Sequence, residues 1–426
     1  MAFPGLSSLQ TWLASFQQPI MNLIENPYRK STIPQFIIDT QHPWILANQR
    51  KLESLLNAEV FLCFNRNSDS HGNEIEGIEA DLEIPPDLYE NLTIDNHCAD
   101  VFRPGWPNAL ERLTEINRCP LALAQVKNLH LGIYVYRGAN ADFWPKILEP
   151  SHPPSKLPAL FGDILESMTR LESLTWAMGR EEAHFFEEPF MARNFSLLSV
   201  TSLELGPSSH YLVGMCPNLE RLESGGGWYE SGGYSDETDW RVLFIQSAAS
   251  ATKLKRFAMD GSFAGWSPAL ATEAVKAMPQ IENLGIRGSV GSSYITEDND
   301  KFKDILKILA QLNNLTQIDL PYSSRLALGF DGGAWCGNAY EGKGGREYGR
   351  VVAEESAETT EKAGDMVMRS MRHLKRFEIG ELAPNITRAE NGTVTLVWPW
   401  TGRMDEWTFE VWPEEPDFEE VEYGVM

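Results

Sequence analysis

The sequence predicts an α/β fold of repeated helix–strand units, whose strands line up as a curved parallel sheet between a helical N-terminal region and a C-terminal β-hairpin cap. Three observations predict it. Seven segments share one order: an apolar residue, any residue, a polar residue, then Leu, Ile or Val, two variable residues and another apolar one. They are LAQVKNL (123–129), MTRLESL (168–174), CPNLERL (216–222), ATKLKRF (251–257), MPQIENL (278–284), LNNLTQI (312–318) and MRHLKRF (371–377). Helix-period stretches precede several copies: Glu273–Met278 before Ile281, Phe302–Leu309 before Leu315, Val351–Met371 before Leu374. Most copies continue into a further apolar residue and a Gly, which lifts the pattern above the chance matches expected at 42% hydrophobic composition.

In chain order, residues 1–57 read as a helical N-terminal region. Leu6, Leu9, Leu13, Phe16, Ile20 and Leu23 recur on one helical face, which Pro19 kinks or splits, and Trp44–Leu56 reads as a second helix. Glu59–Phe64 predicts a buried strand, and the polar stretch Ser68–Glu79 a surface loop. The repeats dominate residues 58–412. In each, the anchoring Leu, Ile or Val and the apolar residues alternating after it point inward, while the residues between them face solvent on the concave side. That pattern specifies an irregular leucine-rich-repeat solenoid. Its anchors are Val126, Leu171, Val200 (in an eighth unit, VTSLELG), Leu219, Leu254, Ile281, Leu315 and Leu374. They stand 19 to 59 residues apart, whereas a regular array repeats every ~20–29. Insertions are therefore expected near 138–160 and 325–350. Thr393–Trp398 and Glu406–Trp412 alternate as strands joined through Pro399–Arg403, a hairpin closing the open end with Trp398, Trp400, Trp407 and Trp412 in its core. Residues 413–426 read as an acidic tail.

Composition bounds the partners. The chain has 426 residues, with 36 Lys+Arg against 60 Asp+Glu, for a net charge of −24. Such a surface repels phosphate backbones and anionic lipid, so nucleic acid and membranes are not expected partners. No stretch approaches the roughly 18 apolar residues of a membrane span. Cys63, Cys98, Cys119, Cys216 and Cys336 are odd in number and widely spaced, which argues against a disulfide framework. With no basic, apolar leader at the N-terminus, the expected location is cytoplasmic or nuclear.

A search for chemistry leaves no expected catalytic, cofactor or metal residue. Gly337–Gly344 (GNAYEGKG) matches the spacing of a phosphate-binding loop, but Gly344 stands where a Mg²⁺-ligating Ser or Thr belongs, the preceding Leu326–Asp331 is a poor strand, and the next helix is expected only near Tyr348. A nucleotide-binding enzyme using Lys343 is the alternative to a loop between repeats. Glu354, Glu355, Glu358 and Glu361 read as a solvated helix face, and no Cys or His spacing suits zinc. The concave positions are Asn128, His130, Ser173, Thr175, Arg221, Glu223, Arg256, Ala258, Asn283, Gly285, Gln317, Asp319, Arg376 and Glu378. This mixed polarity suits contact with a protein, for which Arg221, Arg256, Asn283, Gln317, Asp319 and Arg376 are the candidates. Trp228, Tyr229 and Tyr234, in a Gly-rich loop after the Leu219 unit, are candidate anchors on the rim.

Units such as MCPNLERLES, and the C-terminal stretch GFDGGAWCGNAYEGKGGREYGRV with MRHLKRFEIG and LVWPWTGRMDEWTFEVWP, resemble a family of uncharacterised fungal F-box/leucine-rich-repeat-like proteins over roughly residues 120–412. The resemblance implies a non-enzymatic substrate receptor, with the repeats holding the substrate and an F-box docking on a ubiquitin-ligase adaptor. The F-box itself is not evident: only Ile33–Asp39 echoes its opening, with Phe36 in the position of the usual Glu.

Overall fold

A computed structural model describes residues 89–95, 105–117, 120–133, 152–178, 180–206, 208–225, 240–260, 265–290, 299–334 and 336–414. The helical region expected over 1–57, the strand at 59–64, the rim loop with Trp228, Tyr229 and Tyr234, and the tail beyond Glu414 lie outside these residues. The described chain is mixed α/β and falls into two compact units. One takes residues up to Leu174 together with Glu188–Leu197, and the other takes Thr175–Glu187 together with residues from Leu198 onward.

The first unit holds β1 (Asn91–Asp95), α1 (Gly105–Ile116), the single turn α2 (Pro120–Leu123), β2 (Asn128–Ile133), α3 (Leu157–Ser167), the start of β3 (Ser173–Met178) and the end of α4 (Arg180–Arg193). β1 pairs in parallel with β2, Leu92 opposite Leu129 and Ile94 opposite Leu131, all four side chains buried. Leu113 and Ile116 bury the inner side of α1, which packs on α3. Arg193 clamps α3 from outside, pairing with Asp163 at 2.8 Å and Glu166 at 2.9 Å, and its side chain fills the space beside Gly162. The stretch 157–160, placed in an insertion by the repeat spacing, opens α3, with Pro158 in the first turn, where its missing N–H costs nothing.

The second unit continues β3 and adds β4 (Ser202–Leu205), β5 (Arg221–Ser224), α5 (Trp240–Ser247), β6 (Arg256–Asp260), α6 (Pro268–Ala277), β7 (Asn283–Arg287), α7 (Asn299–Leu309), β8 (Gln317–Leu320), α8 (Gly342–Ser370) and β9 (Arg376–Ile379). A separate hairpin, β10 (Asn385–Arg388) with β11 (Val394–Val397), and α9 (Met404–Val411) follow. From β4 to β9 the strands are neighbours in the order they occur in the chain, and every pairing is parallel.

Each seven-residue segment builds the same junction, and this is why the pattern has its spacing. Its first residue ends the preceding helical turn and accepts the anchor's amide: Leu171 N–H to Met168 O, Leu219 to Cys216, Leu254 to Ala251, Ile281 to Met278, Leu315 to Leu312, Leu374 to Met371. First residues and anchors are all buried, at 2% exposure or less. The residue after the anchor then offers one carbonyl to two successive amides of the next unit. Glu220 O receives Lys255 and Arg256, Lys255 O receives Glu282 and Asn283, Glu282 O receives Thr316 and Gln317, and Thr316 O receives Lys375 and Arg376. The polar residues of the motif stay at the surface while their backbones make these bonds. Behind them Leu203, Leu222, Phe257, Leu284, Ile318 and Phe377 stand in one register and are buried, each contributing on the order of 1.5–3 kcal/mol. α5, α6, α7 and α8 pack successively on one another. Ser267 caps α6 by accepting the Leu270 amide, with Pro268 at its first position.

Several expectations are corrected. The terminal hairpin is β10 with β11, not Thr393–Trp398 with Glu406–Trp412: only its 394–397 half is a strand, and Met404–Val411 is helix. In 404–411 the apolar alternation of Trp407, Phe409 and Val411 is misleading, because Thr408 is the buried residue there while Phe409 and Val411 stay exposed. Asp405 and Glu406 in the first turn suit a helix N-terminus, and Arg403 pairs with Glu410 at 2.6 Å. The hairpin turn is at Asn391-Gly392, where Gly392 has φ +79°. Trp398, Trp400 and Trp412 do not fill a hairpin core but pack on α8, and Trp407 lies against Trp400. Trp398 lies against Gly364 and Phe377, Trp400 donates its indole N–H to Glu361 at 2.7 Å, and Trp412 lies against Gly349. α8 begins at Gly342, so the stretch from there to Gly349 is helix and not loop. Its buried face is a row of small residues, Gly345, Gly349, Ala353, Ala357, Ala363 and Gly364, which gives the indoles room.

Candidate functional site

Parallel pairing in register turns sequence spacing into rows across the sheet. On the second unit, one row of β4–β9 runs Ser202, Arg221, Arg256, Asn283, Gln317, Arg376. The next row runs Glu204, Glu223, Ala258, Gly285, Asp319, Glu378, and beyond it Asp260 stands opposite Arg287. The structure therefore brings all six described candidates, Arg221, Arg256, Asn283, Gln317, Asp319 and Arg376, onto one face of one unit. Asn128 and His130 are exposed on β2 of the first unit, and Ser173 and Thr175 of β3 are half-buried.

Three of the positions expected to face solvent are instead covered. Ala258 and Gly285 are buried, and Glu223 is only 5% exposed. A Cβ on Gly285 would lie 2.7 Å from the Ala258 Cβ, so these strands approach where neither carries a bulky side chain. Over this low ground, arginines from both neighbouring rows converge on Glu223. Arg221 Nε donates to Oε1 at 2.7 Å, Arg256 Nε to the same oxygen at 3.0 Å, and Arg287 Nη2 to Oε2 at 2.8 Å. Arg256 Nη2 also lies 3.9 Å from Asp319 Oδ2, and Gln317 donates to Asp319 Oδ1 at 2.9 Å. Arg376 pairs with Glu378 at the last strand. Burial, the largest single influence on Glu223, pushes its carboxyl up, but Arg221 and Arg287 together outweigh it and hold the group below the usual carboxylate range.

The layering of this face matters more than its sum of charges. The carboxylates lie deep, with side-chain exposures of 7% for Glu223, 29% for Asp319 and 27% for Glu378, and the guanidiniums lie above them, at 50% for Arg221, 46% for Arg287 and 60% for Arg376. Sequence reasoning missed Arg287, which sits two positions beyond the repeat's own alternation, and it placed Glu223 in solvent. The neighbouring small residues at 258 and 285 were the signal available, since they open a path for long side chains from either side.

Around the phosphate-loop-like segment, Gly337–Tyr340 forms a helical turn and Leu326–Asp331 is not a strand. Lys343 falls in the first turn of α8. Glu354, Glu355 and Glu358 are exposed, while Glu361 is half-buried under Trp400. Among the described residues no cluster of His, Cys, Asp or Glu could hold a metal ion, and no helix is long and apolar enough to cross a membrane. No protein-family model matches the chain, and no curated protein matches it either.

Proposed function

We propose that the chain is a non-enzymatic recognition scaffold, an irregular leucine-rich-repeat protein that holds a protein partner on the open face of its parallel strands. The observation that carries this reading is the in-register row from Arg221 to Arg376: side chains from five consecutive repeats meet on one surface, half-buried or exposed, with arginines uppermost. Arginines in a row with amide side chains are the composition of interface anchors. The resemblance to F-box/leucine-rich-repeat-like proteins extends the reading to a substrate receptor acting in the cytoplasm or nucleus.

A photo-crosslinking amino acid placed at Asn283 or Gln317, and as a control at Lys276 on α6, tests it in the native cell. A discrete cross-linked protein from the two strand positions and not from Lys276 is the expected result; identical products from all three remove the reading. Recovery of a ubiquitin-ligase adaptor with that partner would separate a receptor from a simple scaffold. A second reading, nucleotide binding, is favoured by one observation, Lys343 in the opening turn of α8. Calorimetric titration with Mg-ATP decides it: heat that disappears on Lys343→Ala supports it, and no heat dismisses it.

A further inference from the structure

We infer that Arg221, Arg256 and Arg287 form a preorganised receptor for a carboxylate of the partner, so that the partner presents an acidic segment to this face. The inference rests on the recognition reading above and names the chemistry of the same surface. Each guanidinium carries five N–H donors in a fixed fork. Arg221 and Arg256 hold Glu223 through Nε alone, and Arg287 through Nη2 alone. Among the described residues the outer Nη edge of Arg221 has no other hydrogen-bond partner, and that of Arg256 has only Asp319, at 3.9 Å and beyond hydrogen-bond reach. One buried carboxylate thus fixes three partly exposed forks while leaving most of their donors unmet.

That arrangement is what bidentate recognition of an anion requires. Holding an arginine in place beforehand removes the side-chain ordering that weakens exposed ion pairs, and an oxygen pair meeting an Nη edge makes short, charge-assisted bonds. Ala258 and Gly285, both buried, put no long side chain of their own between the forks. Charge selects among anions. Against the three guanidiniums stand Glu223 beneath them and Glu204 and Asp319 in adjoining ladder positions. A carboxylate gains from the forks and meets these acids with a single negative charge, whereas a phosphate dianion meets them with two. The structure therefore favours Asp or Glu side chains over phosphorylated ones.

The test uses the full chain and three fluorescein-labelled octapeptides read by fluorescence polarisation. One has four consecutive Asp and Glu residues, one has Asn and Gln in their place, and one has phosphoserines there. At net charge −24 the chain's long-range field repels the acidic probe, so tighter binding reports local contacts. The acidic peptide is expected to bind about tenfold tighter than its amide counterpart, and Arg221→Gln and Arg287→Gln each to weaken it roughly three- to tenfold. Lys307→Gln on α7 should leave it unchanged. Arg221→Lys keeps a charge beside Glu223 but loses the fork; it should retain the wild-type melting temperature and still bind more weakly, which separates recognition from folding. Equal binding of acidic and amide peptides overturns the inference, as does an equal loss with Lys307→Gln, and tenfold tighter binding of the phosphoserine peptide overturns the choice of carboxylate. If the Asn283 cross-link persists while the acidic peptide fails, the recognition surface stands and its anion chemistry falls.

Discussion

Replacing Glu223 with Gln keeps the shape of the side chain and removes the charge on which three arginines converge. At 5% exposure the carboxylate is inside, but its partners are partly solvated, at 50%, 35% and 46% of side-chain surface. Each pair is therefore closer to a screened surface pair, ~0.5–1 kcal/mol, than to a fully buried one at ~3–5 kcal/mol. Losing all three at once, and leaving the guanidiniums to repel one another, should cost about 2–3 kcal/mol. A single Arg→Gln change leaves two partners in place and should cost under ~1 kcal/mol. The triple replacement Arg221→Gln/Arg256→Gln/Arg287→Gln strands a buried carboxylate and should cost ~3–5 kcal/mol, more than the three singles together. Urea denaturation followed by tryptophan fluorescence measures each. The carboxyl titrates below its unfolded value, so its stabilisation is complete above the unfolded pKa of 4.5 and fades as pH falls through the folded value; wild-type and Glu223→Gln curves should converge there. A Glu223→Gln cost below ~0.5 kcal/mol at neutral pH, or one equal to each single arginine change, would refute the description of Glu223 as the hub.

Other perturbations probe the packing. Gly285→Ala should destabilise by ~1–3 kcal/mol, because its Cβ meets that of Ala258, and Ala258→Gly in the same chain should restore part of the loss in thermal melting. Gly364→Ala, which would gain about 1 kcal/mol in an ordinary helix, should instead lower stability, since the new methyl stands 2.8 Å from the Trp398 ring; calorimetry gives the sign. Burial, opposed by Glu187, lowers the pKa of His210; its neutral form contributes stability that is full above the unfolded pKa of 6.5 and is lost as pH falls toward the folded one. His210→Gln should flatten that part of the stability–pH curve. Site-resolved mass spectrometry after brief alkylation should find Cys336 modified and Cys216 spared, the first exposed, the second buried with its thiol pushed up to about 12.

The repeat was legible because its signal is local. An apolar helix end, three residues to an anchor and two more to a strand are all set by one hydrogen-bonded junction, so each segment carries its own evidence. Each of the eight anchors heads a strand, and the candidate row from Arg221 to Arg376 follows from the register of β5 to β9. β1 was not legible: Leu92 and Ile94 alternate, but no anchor precedes them in the pattern. The Glu223 cluster is cross-strand, and nothing along the chain says that Arg256 and Arg287 reach back over one or two strands to the same carboxylate. In Met404–Val411 the two periodicities share too few residues to separate, and contact with α8 decided between them.

The junction itself has a consequence for how such a chain can change. Val200 to Leu219 is the shortest interval between anchors and Leu315 to Leu374 the longest, yet both units finish with a carbonyl that clasps two amides of its neighbour, Thr201 O to Glu220 and Arg221, Thr316 O to Lys375 and Arg376. Stagger between adjacent strands is thus dictated at the clasp, whatever length of polypeptide wanders off in between. New material can be grafted into an excursion without displacing the ladder, whereas one extra residue between anchor and strand would throw that strand's side chains onto the opposite surface.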